Sequence, residues 1–155
     1  MNKKQDVIDK FVIKELSKEL KNWFIIQEKN DYLLFNQFKI VNRNSHYEVL
    51  HLNNSLTERF YNLKNAVTWC ICEKLKKYDD SETIRNLDRK IENYKTSESI
   101  HKKLLINTKE KSQKEIYYIK FVEDVKQKTL AQKEMENYIN ISRYWLNKKL
   151  NELTQ

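Results

Sequence analysis

Not one of the 155 residues is glycine and not one is proline, and this double absence constrains the fold more than any motif the chain carries. A backbone that must turn at φ > 0, or let a phosphate come close, normally does so at glycine. The phosphate-cradling loop, the dinucleotide-binding turn and the strained nucleophile elbow are therefore beyond this chain. P-loop NTPases, Rossmann oxidoreductases and α/β-hydrolases go with them. Turns fall instead to Asn and Asp, the next most tolerant residues. These gather at Asn30-Asp31, Asn42 and Asn44, Asn53-Asn54, Asp79-Asp80 and Asn107, where the elements are expected to break.

The rest of the composition agrees with one ordinary domain, 1–155, with residues 1–62 a helix plus a small sheet and 63–155 a helical part. Apolar residues make up 39%, including nine Tyr, six Phe and three Trp, which is enough to build a core although 34% of the chain is charged. The net charge is +8. Lys, Asn, Ile, Tyr and Phe have A+T-rich codons, while alanine occurs only as Ala66 and Ala131. Part of the lysine excess thus reflects genome composition, which weakens the usual inference from basic charge to nucleic acid. No apolar run reaches the ~20 residues of a membrane span. Lys3 and Lys4 are followed by Asp6 and Asp9, unlike a signal or transit peptide, so an intracellular site of synthesis is expected.

Along the chain, Ile8, Val12, Leu16, Leu20 and Phe24 recur at helical spacing and predict an N-terminal amphipathic helix over 5–24. Residues 32–41 and 46–52 have strand composition around the turn-like Asn42-Arg43-Asn44-Ser45. In the second, Tyr47, Val49 and His51 alternate with Glu48, Leu50 and Leu52, so both faces are expected to be covered. Residues 56–61 read either as a capped helix start or as a third short strand, with the strand preferred. From Leu63 onward the spacing is helical to Tyr78, with Asn62 as N-cap and Lys74, Lys76 and Lys77 suited to the C-terminal dipole. Capping boxes at Asp79-x-x-Glu82 and Ser112-x-x-Glu115 then open helices over 81–106 and 113–152, about 39 and 60 Å long at 1.5 Å per residue. The fold class is α+β: an N-terminal helix, a small antiparallel β-meander of two or three strands, then three helices ending in a long antiparallel hairpin.

Few side chains suggest chemistry. His46, His51 and His101 fall on a turn, a strand and a distant helix, and Cys70 and Cys72 lack a second pair, so no metal or other cofactor is expected. Two thiols two residues apart read as small buried side chains. The carboxylate pairs Asp79-Asp80 and Glu123-Asp124 read as a helix junction and a solvated helical face beside Lys126 and Lys128. No catalytic residue is assigned. The clearest cluster is electrostatic: Lys102, Lys103, Lys109, Lys111, Lys114 and Lys120 lie at the hairpin tip against only Glu110 and Glu115, a candidate contact for phosphate or an acidic surface. Arginine is scarce, with five residues in the chain, and base-reading sites favour its fork. Tyr138, Tyr144 and Trp145 mark an aromatic overhang on the last helix that must pack on the sheet and earlier helices or on another chain.

Three stretches, F-Y-N-L-K-N-A-V-T-W-C-I-C at 60–72, I-R-N-L-D-R-K-I at 84–91 and Y-I-N-I-S-R-Y-W at 138–145, resemble small proteins encoded by marine tailed phages of the cyanophage and pelagiphage type. The resemblance covers about two-thirds of the chain, from the hairpin of strands to the end, and leaves out 5–24. Its motifs are structural, so it implies a viral source and supports the third strand without assigning an activity. The function expected is a non-enzymatic protein-interaction or virion-associated module, with a protein partner or self-association. The alternative is a nucleic-acid-binding accessory protein that uses the basic tip.

Overall fold

A computed structural model describes residues 25–28 and 31–154; the helix expected at 5–24 lies outside them. Five strands, β1 (Ile25–Glu28), β2 (Asp31–Leu34), β3 (Phe38–Asn42), β4 (Tyr47–His51) and β5 (Thr57–Phe60), are followed by α1 (Leu63–Lys74), α2 (Tyr78–Asn107) and α3 (Lys111–Thr154). The strands lie in chain order in one sheet, each antiparallel to the next. The class is thus α+β with a long C-terminal helical hairpin, and the preferred strand at 57–60 is present.

The sheet has more strands than the two or three expected, because Ile25–Glu28, assigned to no element from sequence, adds an edge strand and because the run over 32–41 is not one strand. It folds back at Phe35 and Asn36, both in the left-handed region (φ 57 and 53), and the Gln37 amide donates to the Leu34 carbonyl at 3.0 Å. Two successive residues at φ > 0 give the reversal a twist that suits a hairpin, and the loop 35–37 joins the paired Leu34 and Phe38. Glycine usually occupies such a turn, and without it the turn is hard to read from sequence. The next turn, 43–46, is as expected: the Asn44 amide donates to Asn42 Oδ1 at 2.9 Å, with Asn44 at φ 73.

One face of the sheet is buried. Tyr32, Leu34, Phe38, Ile40, Tyr47, Val49 and Phe60 point into the core, set opposite one another as Leu34–Phe38, Ile40–Val49 and Tyr47–Phe60. On the other face Glu48 and Leu50 are half-buried and Leu52 is exposed, so covering is less even than the expectation for both faces. Against the buried face lies α1, with nine of its twelve residues buried. Trp69 sets its indole against Phe38, His51 and Phe60 at ring-centroid distances of 5.9, 5.5 and 5.7 Å. A helix apolar all round must be covered on both sides, and the hairpin of α2 and α3 supplies the second layer through Ile84, Leu87, Ile91, Met135, Ile139 and Leu146.

Both ends of α1 are capped. Asn62 Oδ1 accepts from the Asn65 amide at 3.3 Å, as expected of an N-cap. At the other end the Lys76 amide donates to the Glu73 carbonyl at 3.1 Å and the Lys77 amide to that of Cys72 at 2.7 Å. These are the two bonds of a Schellman motif, and Lys76 stands at φ 60 where glycine is usual. The break between helices is therefore Leu75–Lys77, not Asp79-Asp80. Those two aspartates lie in the first turn of α2, where carboxylates suit the dipole.

Candidate functional site

Heptad-like spacing holds α2 to α3. From the base of the hairpin upward, Ile84, Leu87 and Ile91 on α2 and Leu146, Ser142, Ile139, Met135 and Ala131 on α3 are buried. Above Ile91 the apolar seam gives way to polar clamps. The His101 ring donates from Nδ1 to Asp124 Oδ2 at 2.6 Å, and Ser97 Oγ donates to the same oxygen at 2.9 Å. The Lys128 ammonium donates to the Glu98 carboxylate on the facing helix. This corrects an expectation: Asp124 is buried between the helices rather than part of a solvated face, and Lys128 pairs across the hairpin.

A serine, a histidine and an aspartate in contact invite comparison with a hydrolytic triad, but the geometry differs. A nucleophilic hydroxyl must sit at the imidazole nitrogen remote from the carboxylate. Ser97 Oγ instead lies 3.4 Å from Nδ1, the nitrogen that already serves Asp124. The three groups share one carboxylate oxygen and tie the helices together. The cysteines are similarly inert. Cys70 and Cys72 are both buried and free; burial pushes the Cys72 thiol up to about 11 and raises Cys70 well above the ordinary range. Ser142 Oγ, 3.1 Å from Cys72 Sγ, donates to the Tyr138 carbonyl at 2.7 Å. Among the described residues no group of His, Cys, Asp and Glu could hold a metal ion, and no helix is long and apolar enough to cross a membrane.

The distal hairpin presents the residues singled out by charge. Lys102 and Lys103 near the end of α2, Lys109 in the link, and Lys111, Lys114 and Lys120 in the first turns of α3 are all exposed. The apolar residues beside them were not anticipated. Between Ile91 and Ala131 no apolar side chain is fully buried: Tyr94, Leu105, Tyr117, Phe121 and Val125 are half-buried, and Ile100, Leu104, Ile106, Ile116, Tyr118, Ile119 and Val122 are exposed, Ile106 at 70% and Ile119 at 67%. At 100° per residue, Ile116, Tyr118, Ile119 and Val122 fall on the side of α3 turned away from α2. Leu130, Ile141 and Tyr144, also exposed, continue that outer side toward the base. The signal in the sequence was an apolar set too wide for one seam.

The overhang divides. Tyr138 packs against the core cluster, and α3 continues alongside α1. Tyr144 is 61% exposed and meets Trp145 edge-on at 5.5 Å. Trp145 joins a second basic cluster that sequence analysis missed. Between the α1–α2 link and the end of α3 runs an open groove of about 660 Å³, lined by Lys74, Leu75, Lys76, Lys77, Trp145, Lys148, Lys149 and Glu152. The Lys77 ammonium stands over the indole at 4.3 Å from its centroid, and that of Lys148 at 5.1 Å. Glu152, the one carboxylate among the described residues of the groove, lies 4.0 Å from Lys149. The two lysine groups are some 70 residues apart in sequence and each resembles ordinary helix-end charge, which hid the cluster. No family model, curated protein or solved structure matches this chain.

Proposed function

We propose that the protein is a non-enzymatic interaction or virion-associated module, phage-encoded as the resemblance of residues 60–72, 84–91 and 138–145 implies, and that it offers its distal hairpin to an acidic, partly apolar protein surface. One observation carries this reading: between Ile91 and Ala131 the hairpin fully buries no apolar side chain, yet exposes eight large ones beside six lysines. Apolar surface on this scale marks an interaction site. The charge favours an acidic partner over a second copy, because pairing two tips would bring like charges together.

The test compares wild type with the double variant Ile106→Asp/Ile119→Asp as bait. A protein captured by wild type and released by the variant, with helicity unchanged by circular dichroism, supports the reading; equal capture by both, or by neither, counts against it. Light scattering separates the partner classes, since a dimer abolished by the same substitutions would assign the surface to self-association. Gene neighbourhood bears on the setting, with capsid and tail genes alongside supporting a virion part. Nucleic-acid contact by the tip lysines is the second reading, supported by the exposure of all six. Affinity falling steeply with salt and lost on their substitution would favour it.

A further inference from the structure

We infer that the groove at the base of the hairpin, remote from the surface just discussed, binds single-stranded nucleic acid, with its lysines on the phosphates and Trp145 stacking a base. Lys76 and Lys77 on one wall face Lys148 and Lys149 on the other, and Glu152 is the one opposing charge among the described residues. An indole lies between the walls, with the exposed ring of Tyr144 against its edge. Cations along a groove, interrupted by aromatic faces, are what a strand with exposed bases requires.

The occupant follows from chemistry. The carboxylates of an acidic peptide would satisfy the ammonium groups but bring no aromatic face to the indole, whereas every nucleotide pairs a phosphate with a base. A duplex keeps its bases stacked on each other, leaving Trp145 without a role. Lysines act on phosphate as point charges and the described residues of the groove lining include no arginine fork, so binding is tolerant of sequence. The ammonium groups of Lys77 and Lys148 rest on the indole; an incoming base takes a ring face and the displaced ammonium meets the neighbouring phosphate.

The full chain is titrated with fluorescein-labelled oligo(dT), with duplex DNA and polyglutamate as competitors. For about three to four phosphate contacts, log affinity should fall against log salt with a slope of about −2 to −3, from −0.7 per contact on single strands. Lys148→Gln/Lys149→Gln should remove about 1.4 from that slope. Trp145→Leu should weaken binding about five- to a hundredfold, by the worth of one base stack, and Trp145→Phe should retain most of it. Lys109→Gln/Lys111→Gln/Lys114→Gln at the tip should bind as wild type. Circular dichroism checks that each variant is folded; should Trp145→Leu fail, the exposed lysine pair still decides. No binding at low salt, competition by polyglutamate or duplex as strong as by oligo(dT), or loss confined to the tip variant would overturn the inference. The first and third of these leave the protein-docking role of the distal hairpin untouched, since capture by the isoleucine surface is measured separately.

Discussion

Replacing Lys76 by glycine should stabilise the protein, and the structure allows the size of the effect to be worked out. Lys76 occupies the C′ position of α1 at φ 60, held by the amide bonds of Lys76 and Lys77 to Glu73 and Cys72. The left-handed conformation costs a residue with a Cβ about 1–2 kcal/mol, and glycine escapes that cost. Glycine also gives the unfolded chain more freedom, which returns about 0.4–1 kcal/mol of the gain. The expected net stabilisation is about 0.5–1 kcal/mol, or roughly 2–4 °C in Tm per kcal/mol for a chain of this size. Because Lys76 is one of five lysines lining the groove, losing its charge could itself relieve repulsion. Lys76→Ala controls for this, since it removes the ammonium and keeps the strain. Denaturant midpoints for wild type, Lys76→Ala and Lys76→Gly, taken at a salt concentration that screens surface charge, should place glycine about 1 kcal/mol above alanine. A glycine variant no more stable than the alanine variant would refute the assignment of strain to this position.

Other expectations follow from the buried polar groups. Burial raises the Asp88 carboxyl above its ordinary 3.8, against the opposing bonds from Asn65 Nδ2 and the Tyr61 amide, both 2.9 Å. The folded state thus holds this proton more tightly than the unfolded one, so its stabilising contribution is full below about pH 3.8 and is lost as pH rises through the folded value. Unfolding free energies of Asp88→Asn between acid and neutral pH should lack that decline; equal slopes in variant and wild type would contradict it. Asp124→Ala strips His101 and Ser97 of their shared acceptor and should cost about 1–3 kcal/mol in urea unfolding, whereas a change below 0.5 kcal/mol, as is usual at the surface, would mean the clamp contributes little. Phe60→Ala, which empties a site between the sheet and Trp69, should cost about 3–5 kcal/mol by the same measurement. Cys70 and Cys72 should react with a thiol reagent only as fast as the protein opens, and immediate labelling of the folded chain would contradict their burial.

What could be read from the sequence was what local periodicity encodes. Ile84, Leu87 and Ile91 at spacings of three and four announce a helix with one buried side, and Asn62 before Leu63 announces its predecessor's cap. Reversals without glycine were harder. Phe35-Asn36 carries no conventional turn signal beyond its asparagine, and Lys76 carries none, so one strand was split and one helix boundary displaced toward the more conspicuous Asp79-Asp80. Side-chain partners across the hairpin were beyond reach as well: Asp124 looks like a surface residue until His101 and Ser97 are set against it, and spacing within a helix says nothing about what faces it. The groove failed to show for the same reason. Its walls meet only because α3 returns past the end of α1, which places Lys148 and Trp145 beside Lys77.

The forty-four residues of α3 run without interruption from Lys111 to Thr154, about 66 Å at 1.5 Å per residue. One end carries the tip lysines and the other a wall of the groove, and most of the span is braced by α2. Anything held at the two ends at once is kept at a set separation by a continuous rod, as by a ruler. A strand in the groove and a protein on the tip would be attached at opposite ends of that rod, and moving one attachment point would swing the other through space.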